Sequence, residues 1–311
     1  MIALGRAEVE SLLEPEALIA AVRLALLDVS AGRASMPTRI AAKSPLGLVG
    51  AMPAYLPSLQ VLAAKLVAVF PANTAAPTHQ AVIVAFDPEN GTPLALLDGT
   101  AITAQRTAAA SALATQLLAR EDAAVLAIVG TGVQAEAHAR YLVRVRKFRE
   151  VRVAGRDPAR VLAFAARIGA VAAPDIESAV RGADVICAAT HAREPVVRRA
   201  FLKEGAHLNS VGLHAEGSEL EAAVLRDALL AVESRASAFA PPPAGAFELR
   251  GFEAAAAVEL GELAAGTREG RTAPGQITVY KGVGVAAEDA AAAALVLRLA
   301  AGRGLGAQIR L

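Results

Sequence analysis

Residues 123–145 read AAVLAIVGTGVQAEAHARYLVRV, and the order of residue types in this stretch decides the fold. From Ala123 to Val129 the run is unbroken and apolar, the pattern of a strand buried on both faces of a parallel sheet. Gly130-Thr131-Gly132-Val133-Gln134-Ala135 follows at once, a G-x-G-x-x-A sequence set where a strand turns into a helix. In that setting Gly130 permits the tight turn, Gly132 lets the backbone approach a pyrophosphate, and Ala135 allows helix to pack closely on strand. The opening of the helix offers free N–H groups and a positive dipole end to phosphates. Gly130, Thr131, Gly132, Val133 and Gln134 are therefore the candidate cofactor-binding residues, and the cofactor they imply is a dinucleotide.

Toward the C-terminus the same grammar repeats. VRVAG is a second strand, DPARVLAFAARIG a second helix and DVICAAT a third strand, with HLNSVGL and ALLAVES continuing the alternation. This rhythm predicts a Rossmann-type, right-handed, doubly wound parallel sheet, an α/β domain. The second strand ends at Gly155-Arg156, with Arg160 one turn into the next helix. An NAD-preferring site usually places Asp or Glu at that strand end, whereas a guanidinium suits a 2′-phosphate. Arg156 and Arg160 thus predict NADP(H) in preference to NAD(H). Asp157, able to swing to a ribose hydroxyl, leaves NAD(H) open as well.

Toward the N-terminus the pattern differs. Residues 8–31 have helical apolar spacing. Residues 46–97 hold short apolar runs broken by Pro, Gly and Asn, which read as an antiparallel or mixed sheet with a turn at Asp87–Gly91. Residues 100–120 lack Gly and Pro and read as a long helix, AFAPPPAGAFELRG as a proline-rich loop, and residues 287–301 as a last helix. At 311 residues the chain is expected to form two domains.

Composition excludes several classes of function. Hydrophobic residues make up 55% and charged residues 20%, so the chain is core-rich rather than disordered. With 31 Lys+Arg against 30 Asp+Glu it carries no global charge for nucleic acid or an anionic membrane, and its 4% aromatic content argues against base-stacking platforms. Charged residues, Gln or Pro interrupt every apolar stretch well before the ~18 residues of a membrane span. The single cysteine, Cys187, permits no intrachain disulfide, and the histidines show no metal-ligand spacing, so no metal is expected. MIALGRAEVE turns acidic too early for a signal peptide, which makes the cytoplasm the default location.

Lysine is scarce: Lys43, Lys65, Lys147, Lys203 and Lys281 stand against 26 arginines. Lys65 lies inside VLAAKLVAVF, where strand geometry gives it a face shared with Ala63, Val67 and Val69. An ammonium there is either a sheet-edge charge or a functional group, and a desolvated lysine suits acid–base work on an amine or imine. Arg106 sits among small apolar residues and Arg39 in MPTR; either guanidinium can grip a carboxylate in a bidentate fork, or form an ordinary ion pair. Thr78 and His79 stand just ahead of an apolar strand, as substrate contacts or as turn chemistry.

The residues together carry a resemblance. AAKLVAVFP, then PTHQAVIVAFDPENGTPLALLDGTAITAQRTAAASALAT, then AIVGTGVQAEAHA, and the C-terminal VELGELAAGTREGRTAPGQITVYKGVGVAAEDAAAAALV resemble the ornithine cyclodeaminase/mu-crystallin family over nearly the whole chain. The resemblance implies a homodimer. It implies an α+β substrate-binding and dimerisation domain over residues 1–120, joined by a C-terminal helix within 287–311, and an NAD(P)-binding Rossmann domain over 121–286. It implies hydride chemistry on a small α-amino or α-imino acid: ketimine or Δ1-pyrroline-2-carboxylate reduction, ornithine cyclodeamination to proline and ammonia, alanine dehydrogenation, or NADPH binding without catalysis. Lys65 and Arg106 take the catalytic places, Arg39, Lys65 and Arg106 those of substrate binding, and Thr107, Thr190 and Val211 those that reach the cofactor.

One departure bears on the substrate. Two residues beyond Asn209-Ser210-Val211-Gly212, cyclodeaminases resemble one another in an aspartate that grips the distal ammonium. This chain has Leu213-His214 there, followed by a shorter loop in which Glu216 is the nearest carboxylate. His214 is a candidate substrate contact but no counter-ion for a second ammonium. Imine reduction is thus expected ahead of ornithine cyclisation.

Overall fold

Period-two burial builds the first sheet. In the computed structural model, which describes residues 1–310, β1 (Ile2–Leu4), β2 (Ile40–Lys43), β3 (Leu48–Leu56), β4 (Val61–Val69), β5 (His79–Phe86) and β6 (Pro93–Asp98) pair into one sheet. Along β4, Val61, Ala63, Lys65 and Val67 are buried, while Leu62, Ala64, Leu66 and Ala68 turn the other way. The buried face packs beneath the C-terminal helix Ala286–Arg303, which also lies on the helix Pro15–Ser30. Ala290, Ala291, Ala292 and Ala293 are all buried, and only small residues let a helix be enclosed on every side at such close approach. The helical apolar spacing of residues 8–31 is carried by two helices, Arg6–Leu12 and Pro15–Ser30. Leu13 leaves helical geometry, and Pro15 restarts the helix at the position where its missing N–H costs nothing.

The middle of the chain is the doubly wound half. β7 (Val125–Val129), β8 (Glu150–Ala154), β9 (Val171–Ala172), β10 (Val185–Ala188), β11 (His207–Ser210), β12 (Leu229–Val232), β13 (Val258–Glu259) and β14 (Thr278–Lys281) form one sheet in the order β13-β12-β14-β11-β10-β7-β8-β9. Every neighbouring pair is parallel. From β7 the chain runs outward through β8 and β9, then returns to β10 on the opposite side. The strand order therefore reverses between β7 and β10, and ligands of such sheets bind outside the carboxyl ends of the strands at that reversal. The short strands β9 and β13 carry too little apolar pattern to stand out in the sequence.

β15 (Ala307–Gln308) returns to the first sheet, giving β15-β1-β6-β5-β4-β3-β2, in which the β1–β6 pair is parallel and all others antiparallel. The chain divides into two compact units, Met1–Arg106 with the chain from Gly284 onward, and Thr107–Val283. The sequence reading placed the boundaries at 120/121 and 286/287. Both fall earlier; the first lies inside the continuous helix Gly99–Leu118, and a long unbroken helix conceals the change. Among the described residues no helix is long and apolar enough to cross a membrane.

Candidate active site

In the first unit, strand alternation puts Lys65, Val67 and Val69 on one face with His79, Ala81 and Ile83, Lys65 opposite Ile83 and Val69 opposite His79. β4 is flanked by β3 and β5, so Lys65 is not an edge charge; it is 2% exposed. A buried ammonium requires a counter-charge. Asp289 supplies it, with Oδ2 2.7 Å from Lys65 Nζ. Nζ also donates to Thr103 Oγ1 at 3.4 Å.

Arg106 joins the same cluster. Its Nε donates to Asp289 Oδ1 at 2.9 Å and its Nη1 to Glu288 Oε2 at 2.5 Å. Glu288 and Asp289 stand in the first turn of the C-terminal helix, where the dipole favours carboxylates. Arg39 reaches the cluster's edge, its Nη2 donating to the Gly284 carbonyl at 2.8 Å. Gly284 adopts φ +71°, and a Cβ there would strike the Arg106 guanidinium, so only glycine fits.

These charges set the ionisation. Burial draws Lys65 down to about 8; Asp289 opposes the shift, while Arg106 and Arg39 add to it. Burial resists ionisation of Asp289, yet Arg106 and Lys65 hold its carboxyl below the usual range. His79 falls to about 4, through burial and then the charges of Lys65 and Arg106, so it is a neutral imidazole at pH 7. The expected substrate contact Thr78 is not gathered here: it is exposed, one residue ahead of β5, and strand parity gives the shared face to His79 instead.

The second unit holds the glycine turn. Gly130 has φ +122°, and a Cβ would strike the Ala189 carbonyl. Beside Gly132 nothing lies within 4 Å of where a Cβ would stand, Val133 at the helix start is 59% exposed, and the buried Gln134 Oε1 has no hydrogen-bond partner. An open cradle at a helix N-terminus, with an unsatisfied acceptor beside it, fits a pyrophosphate and its attached ribose. Arg156 and Arg160 are exposed just after β8. Asp157 is committed as the helix N-cap, accepting from Ala159 N at 3.0 Å and Arg160 N at 3.2 Å. Thr107 is half-buried in the helix Gly99–Leu118.

Thr190 and Val211 follow β10 and β11, and a buried knot fixes their loops. Glu219 accepts from Thr190 N (3.0 Å), Thr190 Oγ1 (2.8 Å), Ser210 Oγ (2.8 Å) and Gly212 N (2.8 Å). Lys281 Nζ, fully buried, pairs with Glu248 at 2.9 Å and donates to Ser210 Oγ at 3.1 Å and the Gly212 carbonyl at 2.5 Å. Sequence reasoning missed this knot. Lys281 carried a weaker form of the signal of Lys65, a rare lysine at the end of an apolar strand; Glu219, in an irregular loop, carried none. His214 is half-buried, its ring 4.8 Å from that of His191 and its Nε2 3.3 Å from Arg193 Nε. Glu216 is exposed and meets His214 through its backbone N–H, at 3.1 Å from Nδ1.

A family model described as the ornithine cyclodeaminase/mu-crystallin family matches residues 1–303. The chain belongs to this family. Within it, the chain is 41% identical over 255 residues to the ketimine reductase mu-crystallin of Mus musculus, covering 80% of each protein. It is similar to the structure of Thermococcus litoralis Δ1-pyrroline-2-carboxylate reductase in complex with NADH and L-proline, at 33% identity and a TM-score of 0.92, over 99% of this chain and 100% of the other. It is similar also to an archaeal alanine dehydrogenase dimer with bound NAD, at 29% identity and a TM-score of 0.92, over 100% and 99%. The resemblance carried by the AAKLVAVFP, RTAAAS and GTGVQA segments is thus confirmed, and with it the α/β fold of a Rossmann-type parallel sheet and a second domain.

Proposed function

We propose that this protein is a nicotinamide-dependent reductase of small α-imino acids, of the Δ1-pyrroline-2-carboxylate kind. The observation that carries the reading is the buried cluster around Lys65. It gathers Lys65, Arg106 and Arg39 with Glu288 and Asp289 in one buried place. Two guanidiniums beside a buried ammonium suit an α-carboxylate, gripped by Arg39 and Arg106 next to the lysine. A reduced nicotinamide, when bound, would supply the hydride that the C=N carbon takes up. The Lys65 ammonium gives a proton to the nitrogen, so C=N becomes CH–NH, and the lysine, left as amine, is reprotonated from water. An ammonium titrating at about 8 is well matched to proton donation at neutral pH. His79, neutral and on the same face, offers an N–H without adding charge.

Gly130, Thr131, Gly132, Val133 and Gln134 would hold the pyrophosphate, and Thr107, Thr190 and Val211 the nicotinamide end. NADP(H) is the preferred cofactor in this reading: with Asp157 occupied as a helix cap, Arg156 and Arg160 are the side chains left to meet a 2′-phosphate. His214, beside Arg193 and His191, would meet the substrate tail and disfavours one ending in an ammonium. A homodimer is proposed through the outer face of the first sheet, where Ile40, Val49, Leu66, Val82 and Leu94 lie 38–69% exposed across five adjacent strands. The test supplies NADPH with Δ1-pyrroline-2-carboxylate, and separately ornithine with catalytic NAD+. Cofactor oxidation with the imine and silence with ornithine support the reading. Proline and ammonia from ornithine, without net cofactor change, would replace it with cyclodeamination.

A further inference from the structure

We propose that Asp289 is the positioning residue of this site: by bridging Lys65 and Arg106 it keeps the lysine ammonium charged and the guanidinium aimed. The proposal rests on the reading above, in which Lys65 donates the proton. One carboxylate serves two cations, Oδ2 lying 2.7 Å from Lys65 Nζ and Oδ1 2.9 Å from Arg106 Nε. Arg106 is held further by Glu288 on Nη1 and lies so close to Gly284 that a Cβ there would strike the guanidinium.

Several elements around Lys65 bring a group that bears on it, while β3 sets the uncharged Met52 opposite it. The C-terminal helix contributes Asp289 and Glu288, the helix Gly99–Leu118 contributes Arg106 and Thr103, β5 contributes His79, and the segment before β2 contributes Arg39. Glu288 spends its contact on Arg106 rather than on the lysine. Burial, Arg106 and Arg39 all favour the neutral amine, and Asp289 opposes them. Without Asp289 the remaining forces act together against the ammonium, and the proton donor is depleted at and above neutral pH. Asp289 touches neither the reacting atoms nor the cofactor in this scheme; it acts through Lys65 and Arg106.

The scarcity of lysine makes the ionisation directly observable. Lysine-selective 13C/15N labelling of the whole protein gives five side-chain signals, with Lys65 identified by the loss of one in Lys65→Arg. The Lys65 signal of the unaltered protein should titrate near 8. In Asp289→Asn its midpoint should fall by about one pH unit or more, and the alkaline limb of kcat should move with it, a loss of about fivefold or more at pH 8. Asp289→Glu, which keeps the charge on a longer arm, should hold the midpoint close to that of the unaltered protein while lowering kcat through a displaced Arg106. An unchanged midpoint in Asp289→Asn, with folding verified by the other four signals, overturns the proposal. So does a midpoint that moves while the alkaline limb stays. A shifted midpoint in a protein that reduces no imino acid upholds the role of Asp289 and refutes the reductase reading instead.

Discussion

Replacing Lys65 by methionine separates the two demands placed on this residue, stability and chemistry. The side chain is 2% exposed and its ammonium lies 2.7 Å from an equally buried Asp289 carboxylate. Removing one partner of a buried pair typically costs about 3–5 kcal/mol, because the other charge is left uncompensated. Here Arg106 still donates to Asp289 Oδ1, so the loss belongs at the low end, about 3 kcal/mol. For a chain of 311 residues, with an unfolding entropy of about 2.1 cal/mol/K per residue, that corresponds to a fall in Tm of roughly 5 °C. Loss of a positioned proton donor should lower kcat by about 10²–10⁴-fold. Adding Asp289→Asn removes the orphaned carboxylate and leaves Arg106 paired with Glu288, so Lys65→Met/Asp289→Asn should recover at least half of the lost Tm and none of the rate. Differential scanning calorimetry and NADPH oxidation with Δ1-pyrroline-2-carboxylate measure the two quantities, and fluorescence titration should show NADPH affinity nearly unchanged. Turnover by Lys65→Met within tenfold of the unaltered protein would refute the role of Lys65. A double variant less stable than the single one would refute the charge argument.

Three further outcomes follow from the same structure. Arg156→Asp with Arg160→Ala should raise the KM for NADPH about tenfold or more and leave that for NADH nearly unchanged, since a charge-assisted hydrogen bond contributes about 1.5–3 kcal/mol; an unaltered NADPH/NADH ratio contradicts the assignment of the 2′-phosphate. Leu66→Glu with Val82→Glu puts two charges on the exposed apolar sheet face; sedimentation should report a dimer for the unaltered protein and a monomer for the variant. The buried His138 and His207 titrate at about 4 and about 3 when folded, because burial disfavours their charged forms. Their ordinary value is about 6.5, so below it the unfolded chain binds protons that the folded chain does not, and stability falls as pH drops toward 4. The slope should approach about 1.4 kcal/mol per pH unit for each histidine near pH 5. Urea midpoints at pH 7 and pH 5 test this, and equal midpoints contradict it.

What the sequence revealed follows the range of the physics involved. The glycine turn was legible because strand, turn and helix N-terminus are contiguous, from Val125 to Leu142. Lys65 stood out because a charge within a period-two apolar run is a local anomaly. Asp289 was invisible, since its meaning depends on Lys65 and Arg106, which precede it by most of the chain. Thr78 and His79 were separable only by strand parity, which required the β5 register. The unit boundary was hidden within a continuous helix, where composition does not change. Glu219 gathers four donors from two loops, an arrangement that exists only after β10 and β11 are side by side.

The most direct test of hydride transfer to an imine carbon follows one atom. NADPH carrying deuterium at the transferable position of C4 is incubated with the protein and Δ1-pyrroline-2-carboxylate, and the proline formed is examined by mass spectrometry and NMR. The expected result is one deuterium at C2 and one NADPH oxidised for each proline made. Proline without deuterium, or proline appearing only from ornithine with release of ammonia and the cofactor unchanged, would contradict it.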